Sequence, residues 1–118
     1  MSEKCLLIHC RDGAQAAEKQ TLHLDGHLAH VEQYWRSYVN AGPIKAPNNE
    51  AIIGSVFLVL AKDIQYAKNI MGGDPFISRG KYETIEYSEF INSIGHFIGG
   101  KIWRGADSLR SSAIGGAD

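Results

Sequence analysis

Cysteine and proline are both scarce in this chain, two and three among 118 residues. Cys5 and Cys10 lie five apart in an apparent strand, and an odd separation sends side chains to opposite faces. An intrachain disulfide is then geometrically unfavourable, and two reduced, partly buried thiols suit a cytosolic protein. Charge of one sign is also missing. Twelve Lys and Arg oppose thirteen Asp and Glu, with no basic run of five or more, which argues against a nucleic-acid partner. The longest purely apolar run, VFLVLA at 56–61, is far too short to span a bilayer. The opening MSEKCLLIHCRD has neither the apolar length nor the cleavage pattern of a signal peptide, so a cytoplasmic location and no membrane partner are expected. No P-loop or GxGxxG run is present to cradle a nucleotide, and no cofactor is expected.

What is there suffices for one globular domain. KCLLIHCR (4–11) reads as a strand that is apolar on both faces, closed by RDG. From Ala14 to about Val39 the period becomes helical. On a helical wheel Leu24, Leu28, Val31, Trp35 and Tyr38 form the apolar arc, with Glu18, Asp25, Glu32 and Arg36 opposite. AGPIKAPNN (41–49) carries turn chemistry around a short edge strand. AIIGSVFLVLA (51–61) is the strongest strand, KDIQYAKNIM (62–71) a short helix stopped by GGDP (72–75), and KYETIEYSEF (81–90) a final strand.

That order, β-α-β-β-α-β, predicts an α+β fold of the ferredoxin-like, split βαβ kind, with helices on one face of an antiparallel sheet. Two strands apolar on both faces call for a cover on the other side. A second copy of the same sheet is the simplest, which predicts a homodimer or higher homo-oligomer. The alternative cover is the chain's own end. Residues 92–118 hold six of the thirteen glycines, with Phe97 and Trp103 as isolated anchors. The expected division is a domain over 1–91 and a Gly-rich extension over 92–118, with GGKIWRG as an added strand or dimer arm and a poorly ordered end.

HLDGHLAH (23–30) places His23, His27 and His30 on one helical face. On the same wheel His27 lies closest to the core-facing edge and His30 is the most outward. H-x-x-x-H alone is a weak metal signal, and the Glu of H-E-x-x-H is missing, so no metal is expected. Two readings remain: half-exposed histidines without a task, or a general acid–base at the border of an apolar arc. The spacing does not choose between them.

Four segments in order bear on that choice: LLIHCRD (6–12), HLAHVEQYWRSYVNAGPI (27–44), IGSVFLV (53–59) and DPFISRGKY (74–82). Together they resemble the YciI-like family of the dimeric α/β-barrel superfamily, over about residues 4–90. The resemblance implies a ferredoxin-like dimer and a pocket centred on His27 and Asp74. It also implies a cofactor-independent lyase or isomerase, of the dehydrochlorinase type, acting on a small aromatic or carbonyl compound in catabolism. Asp74 would fix the His27 tautomer and raise its basicity, and the other ring nitrogen would move the proton. His9, Ser55 and Phe76 are the expected substrate-binding residues. Two positions depart from the family, Leu24 and Gln20, where many members carry arginine. The alternative function is a non-catalytic dimer that uses the same pocket for ligand or partner recognition.

Overall fold

Alternation along the two central strands decides which face of the sheet carries the helices. The computed structural model of the protein describes residues 3–95 and 100–101. In β1 (Lys4–Asp12), Leu6, Ile8 and Cys10 are buried. In β3 (Ile52–Ala61) the buried side chains at the same level are Phe57, Val59 and Ala61. These meet Ala67, Ile70 and Met71 of α2 (Ile64–Gly72) to form the core. Ile85 and Tyr87 of β4 (Tyr82–Phe90) pack against its edge. Strand order is β2-β3-β1-β4 with every neighbour antiparallel, and β2 (Tyr38–Lys45) is an edge. With α1 (Ala16–Tyr34) after β1 and α2 after β3, this is the ferredoxin-like arrangement that the periodicity predicts. Pro43 sits on the edge strand, where a missing N–H costs no ladder bond to a further strand.

The expected boundaries shift in two places. The helical period through Val39 stops at Tyr34, one 3₁₀ turn follows at Trp35–Ser37, and β2 begins at Tyr38. The short edge strand expected within 41–49 is therefore present, but it begins earlier and is longer than expected. The GGDP stop is also the start of another short helix, α3 (Pro75–Ser78), because Asp74 caps it by accepting the Phe76 N–H at 2.9 Å and Pro75 fills its first position.

The other face of the sheet carries the odd positions of β1 and the even ones of β3, with Leu7 opposite Leu58 and Cys5 opposite Leu60. Leu7, Val56, Leu58 and Leu60 are only partly covered there. Cys5 and Cys10 are both free and both buried, one toward each face. Beyond β4, β5 (Ile94–Gly95) pairs with β6 (Gly100–Lys101) in a two-residue ladder. Phe97, Trp103 and the chain end after Lys101, to which the expected anchors and arm belong, lie outside the described residues. Among the described residues no helix is long and apolar enough to cross a membrane.

Candidate active site

Helix α1 docks on the corner between α2 and α3 through two histidines a turn apart. His30 donates from Nε2 to the Ile70 carbonyl at 2.7 Å, near the end of α2. Gly73 leaves room for this ring, since a Cβ there would lie 3.2 Å from His30 Cδ2. His27 points its Nδ1 at Asp74, 2.8 Å from Oδ2 and 3.0 Å from Oδ1. Gly26 permits that approach, because a Cβ in its place would meet Pro75 Cγ at 2.8 Å.

This overturns the wheel-based orientation of α1. His30, expected to point outward, is 6% exposed, while Leu28, expected in the core, is 52% exposed. The wheel scores apolarity alone. The α2–α3 corner instead offers a carbonyl and a buried carboxylate, each with acceptor capacity beyond its one backbone N–H, and imidazole N–H groups meet both where leucine could meet neither. The leucines are displaced to the side of the helix that overlooks a cleft.

Asp74 is fully buried, and its carboxylate receives the Phe76 N–H as well as His27. A buried carboxylate that only accepts requires the proton of His27 to sit on Nδ1. Nε2 is then the basic nitrogen, and it has no hydrogen-bond partner among the described residues. The imidazole also stacks on the Phe76 ring, with centroids 3.9 Å apart and planes 8° from parallel. Position, tilt and tautomer of His27 are all fixed by one turn of chain, Asp74 to Phe76.

His27 lines a cleft of about 290 Å³ between α1, the edge strand and the start of β4. Leu24 and Leu28 border it from the helix, Pro43 from β2, Ser55 and Phe57 from β3. Phe76, Lys81 and Tyr82 complete the wall. That is the small end of ligand-pocket sizes, suited to one ring rather than to a nucleotide. Tyr82 donates its hydroxyl to Ser55 Oγ at 3.1 Å. Burial pushes the Tyr82 phenol well up, against a smaller opposite effect of that bond, so it remains a donor at neutral pH. Ser55 then keeps its own O–H for a ligand. Lys81, 3% exposed, reaches Asp12 Oδ1 with Nζ at 3.1 Å. Cys10 lies beneath this wall with its thiol pushed up to about 12, first by burial and then by the Asp74 charge. It is a packed, protonated thiol, not a nucleophile.

Of the five residues singled out from sequence, His27, Asp74, Ser55 and Phe76 come together here. His9 does not. Strand alternation turns it to the other face, where Nδ1 lies 3.6 Å from Glu86 Oε1 of β4. Lys81 and Tyr82 were missed, and neither carries a local signal. A register shift between Arg11 and Asp12 re-aims the end of β1, and the Lys81–Asp12 pairing spans 69 positions of sequence. Among the described residues no group of three or more His, Cys, Asp or Glu converges as metal ligands would.

No curated protein matches the sequence. Among solved structures, the chain is similar to 5-chloro-2-hydroxyhydroquinone dehydrochlorinase (TftG) from Burkholderia phenoliruptrix AC1100, in complex with 2,5-dihydroxybenzoquinone. The TM-score is 0.66 at 18% identity, covering 79% of this chain and 97% of that one. It is also similar to SnoaB, a cofactor-independent oxygenase from Streptomyces nogalater, with TM-score 0.50, 12% identity and coverage of 80% and 97%. At these identities the likeness speaks for the fold. Residues 5–91, by contrast, match the YCII-related domain as a sequence family, and this chain belongs to that family.

Proposed function

We propose that the protein is a cofactor-independent enzyme that moves a proton between His27 and a small hydroxylated or enolisable ring compound, as a lyase or isomerase. The observation that carries this reading is the fully buried Asp74 carboxylate 2.8 Å from His27 Nδ1, which leaves Nε2 as the base beside the cleft. In the forward step Nε2 takes a proton from a ring hydroxyl or an acidic carbon. The electron pair moves into the π system. If His27 returns the proton to a chlorine-bearing ring carbon, that carbon becomes saturated, and loss of a second hydroxyl proton then expels chloride with its bonding pair, which is elimination. If His27 returns the proton to a different carbon, the result is isomerisation. Asp74 keeps its hydrogen bond to Nδ1 throughout and stabilises the imidazolium formed. That TftG is a dehydrochlorinase lends support to the elimination, and the size of the cleft to a single ring.

The working unit we propose is a homodimer. The half-covered apolar positions on the helix-free face of the sheet, Leu7, Val56, Leu58 and Leu60, support a second copy as its cover.

The test is a thermal-shift screen of hydroxylated and chlorinated aromatics, followed by rate measurements on those that bind. His27→Gln should keep its melting temperature within a few degrees and lose about two to four orders of magnitude in rate. A His27→Gln protein as fast as the parent would end the proposal. A cleft that binds these compounds and transforms none would leave recognition alone as its role.

A further inference from the structure

The strongest feature that the acid–base pair does not explain is a buried ammonium in the cleft wall. Lys81 stands at the end of the α3–β4 turn, where Gly80 takes φ +80° and the backbone N–H of Gly13 anchors the Lys81 carbonyl at 3.0 Å. Its side chain passes inward to leave Nζ 5.1 Å from the centre of the Phe76 ring and 4.7 Å from that of Tyr82. An ammonium has three N–H donors. One is met by Asp12 Oδ1 at 3.1 Å. For the others the described residues offer two aromatic faces and no further acceptor. A desolvated cation with unmet donors in the wall of a cleft is poised for an anionic oxygen, because its dehydration has already occurred on folding.

The rest of the lining concentrates that preference. Gln20 and Leu24 are neutral, and among the described residues Lys81 is the one Lys, Arg, Asp or Glu side chain that lines the cleft. Beside Lys81, the Ser55 hydroxyl keeps its proton available because Tyr82 donates to its oxygen. Two donors, one of them charged, therefore share the wall that also carries Phe76.

Resting on the proton-transfer reading above, we infer that the cleft takes its ring compound as an oxyanion, a phenolate or enolate, and that Lys81 is the cation that selects it. The negative oxygen accepts from Lys81 Nζ and Ser55 Oγ while His27 Nε2 serves the proton that moves. A neutral ether or ester of the same ring shape fits the cleft but gains no ionic contact.

The probe is 2,5-dihydroxybenzoquinone, whose vinylogous-acid hydroxyls ionise in neutral water, set against its uncharged 2,5-dimethoxy analogue. Calorimetric titration of the full chain should show the dihydroxy compound binding about tenfold to a hundredfold tighter, the range of one charge-assisted hydrogen bond. Lys81→Met should erase most of that preference, and Lys81→Arg should restore part of it. Because Lys81→Met strands the Asp12 carboxylate and can unfold the chain, the double variant Lys81→Met/Asp12→Asn, which removes both charges, is measured beside it. His27→Gln should retain the preference, which separates this cation from a protonated imidazole. Equal affinity for both quinones in the parent protein, or a folded Lys81→Met protein (single or double variant) that favours the anion as strongly as the parent, overturns the assignment while leaving the His27 rate test standing. A parent protein that binds neither quinone overturns the inference and the aromatic-substrate reading together.

Discussion

His27 and Phe76 lie ring on ring, 3.9 Å between centroids and 8° from parallel, and one carboxylate holds both. Asp74 receives the ring N–H of the first and the backbone N–H of the second. The base and the surface it rests on are therefore positioned by a single turn. Neither can move without the other, which is the rigidity that proton transfer at a fixed distance requires.

The carboxylate's share can be isolated. Asp74→Asn keeps an oxygen able to cap α3, so the fold should survive. An amide, however, has lost the charge and can donate as well as accept, so it no longer imposes Nδ1–H on His27. Nitrogen-15 NMR should find the Nδ1–H tautomer dominant in the parent and mixed in the variant, with a rate loss of about a hundredfold or more. If His27 shows the same tautomer in both proteins, Asp74 is not what orients it.

Much of this arrangement is legible in sequence, for physical reasons that differ by element. The strands β1 and β3 are readable because alternation and burial act on every residue. Asp74 is readable only through the family resemblance, since locally Asp-Pro after two glycines reads as a helix stop and not as the start of the short helix it caps. The orientation of α1 is not, since His30 is drawn inward by the Ile70 carbonyl, a partner forty positions away. His9 fails for the opposite reason. The family-like LLIHCRD run invites a pocket role, and parity along β1 sends the ring to the wrong side of the sheet. Lys81 has no local mark at all. Its place is set by Asp12, a partner 69 positions away in sequence at the end of a different strand.

Parity also says which strand residue should break the proposed dimer. Val56 points to the helix-free face, whereas Phe57 is 4% exposed in the core. Light scattering of the parent at micromolar concentration should give twice the chain mass. Val56→Lys should give the chain mass with the fold intact, because it sets a charge in the proposed interface. Phe57→Lys should instead unfold the chain. A monomeric parent, or a dimer unaffected by Val56→Lys, would remove this face as the interface.

The core around the site should also make the protein sensitive to alkali. Burial holds the Cys10 thiol at about 12 against an ordinary 9.0, and the Tyr38 phenol at about 12 against 10.0. It pushes Tyr82 and Tyr87 upward too. Between the ordinary values and the raised ones the unfolded chain releases these protons and the folded chain keeps them. The folded state then binds more protons, so stability is complete below about pH 9 and falls as pH rises toward 12. Each group still protonated only when folded steepens the fall by about 1.4 kcal/mol per pH unit. Urea melts at pH 7.5, 9 and 10.5 should show a midpoint that holds to pH 9 and then drops. Tyr82→Phe, which deletes one such phenol, should start from a lower midpoint because Ser55 loses its partner, yet lose less between pH 9 and 10.5. A parent midpoint that stays flat to pH 10.5 would mean these groups ionise as freely inside the fold as outside it. An unchanged slope in Tyr82→Phe would clear Tyr82 alone, leaving the thiol and the remaining phenols as the source.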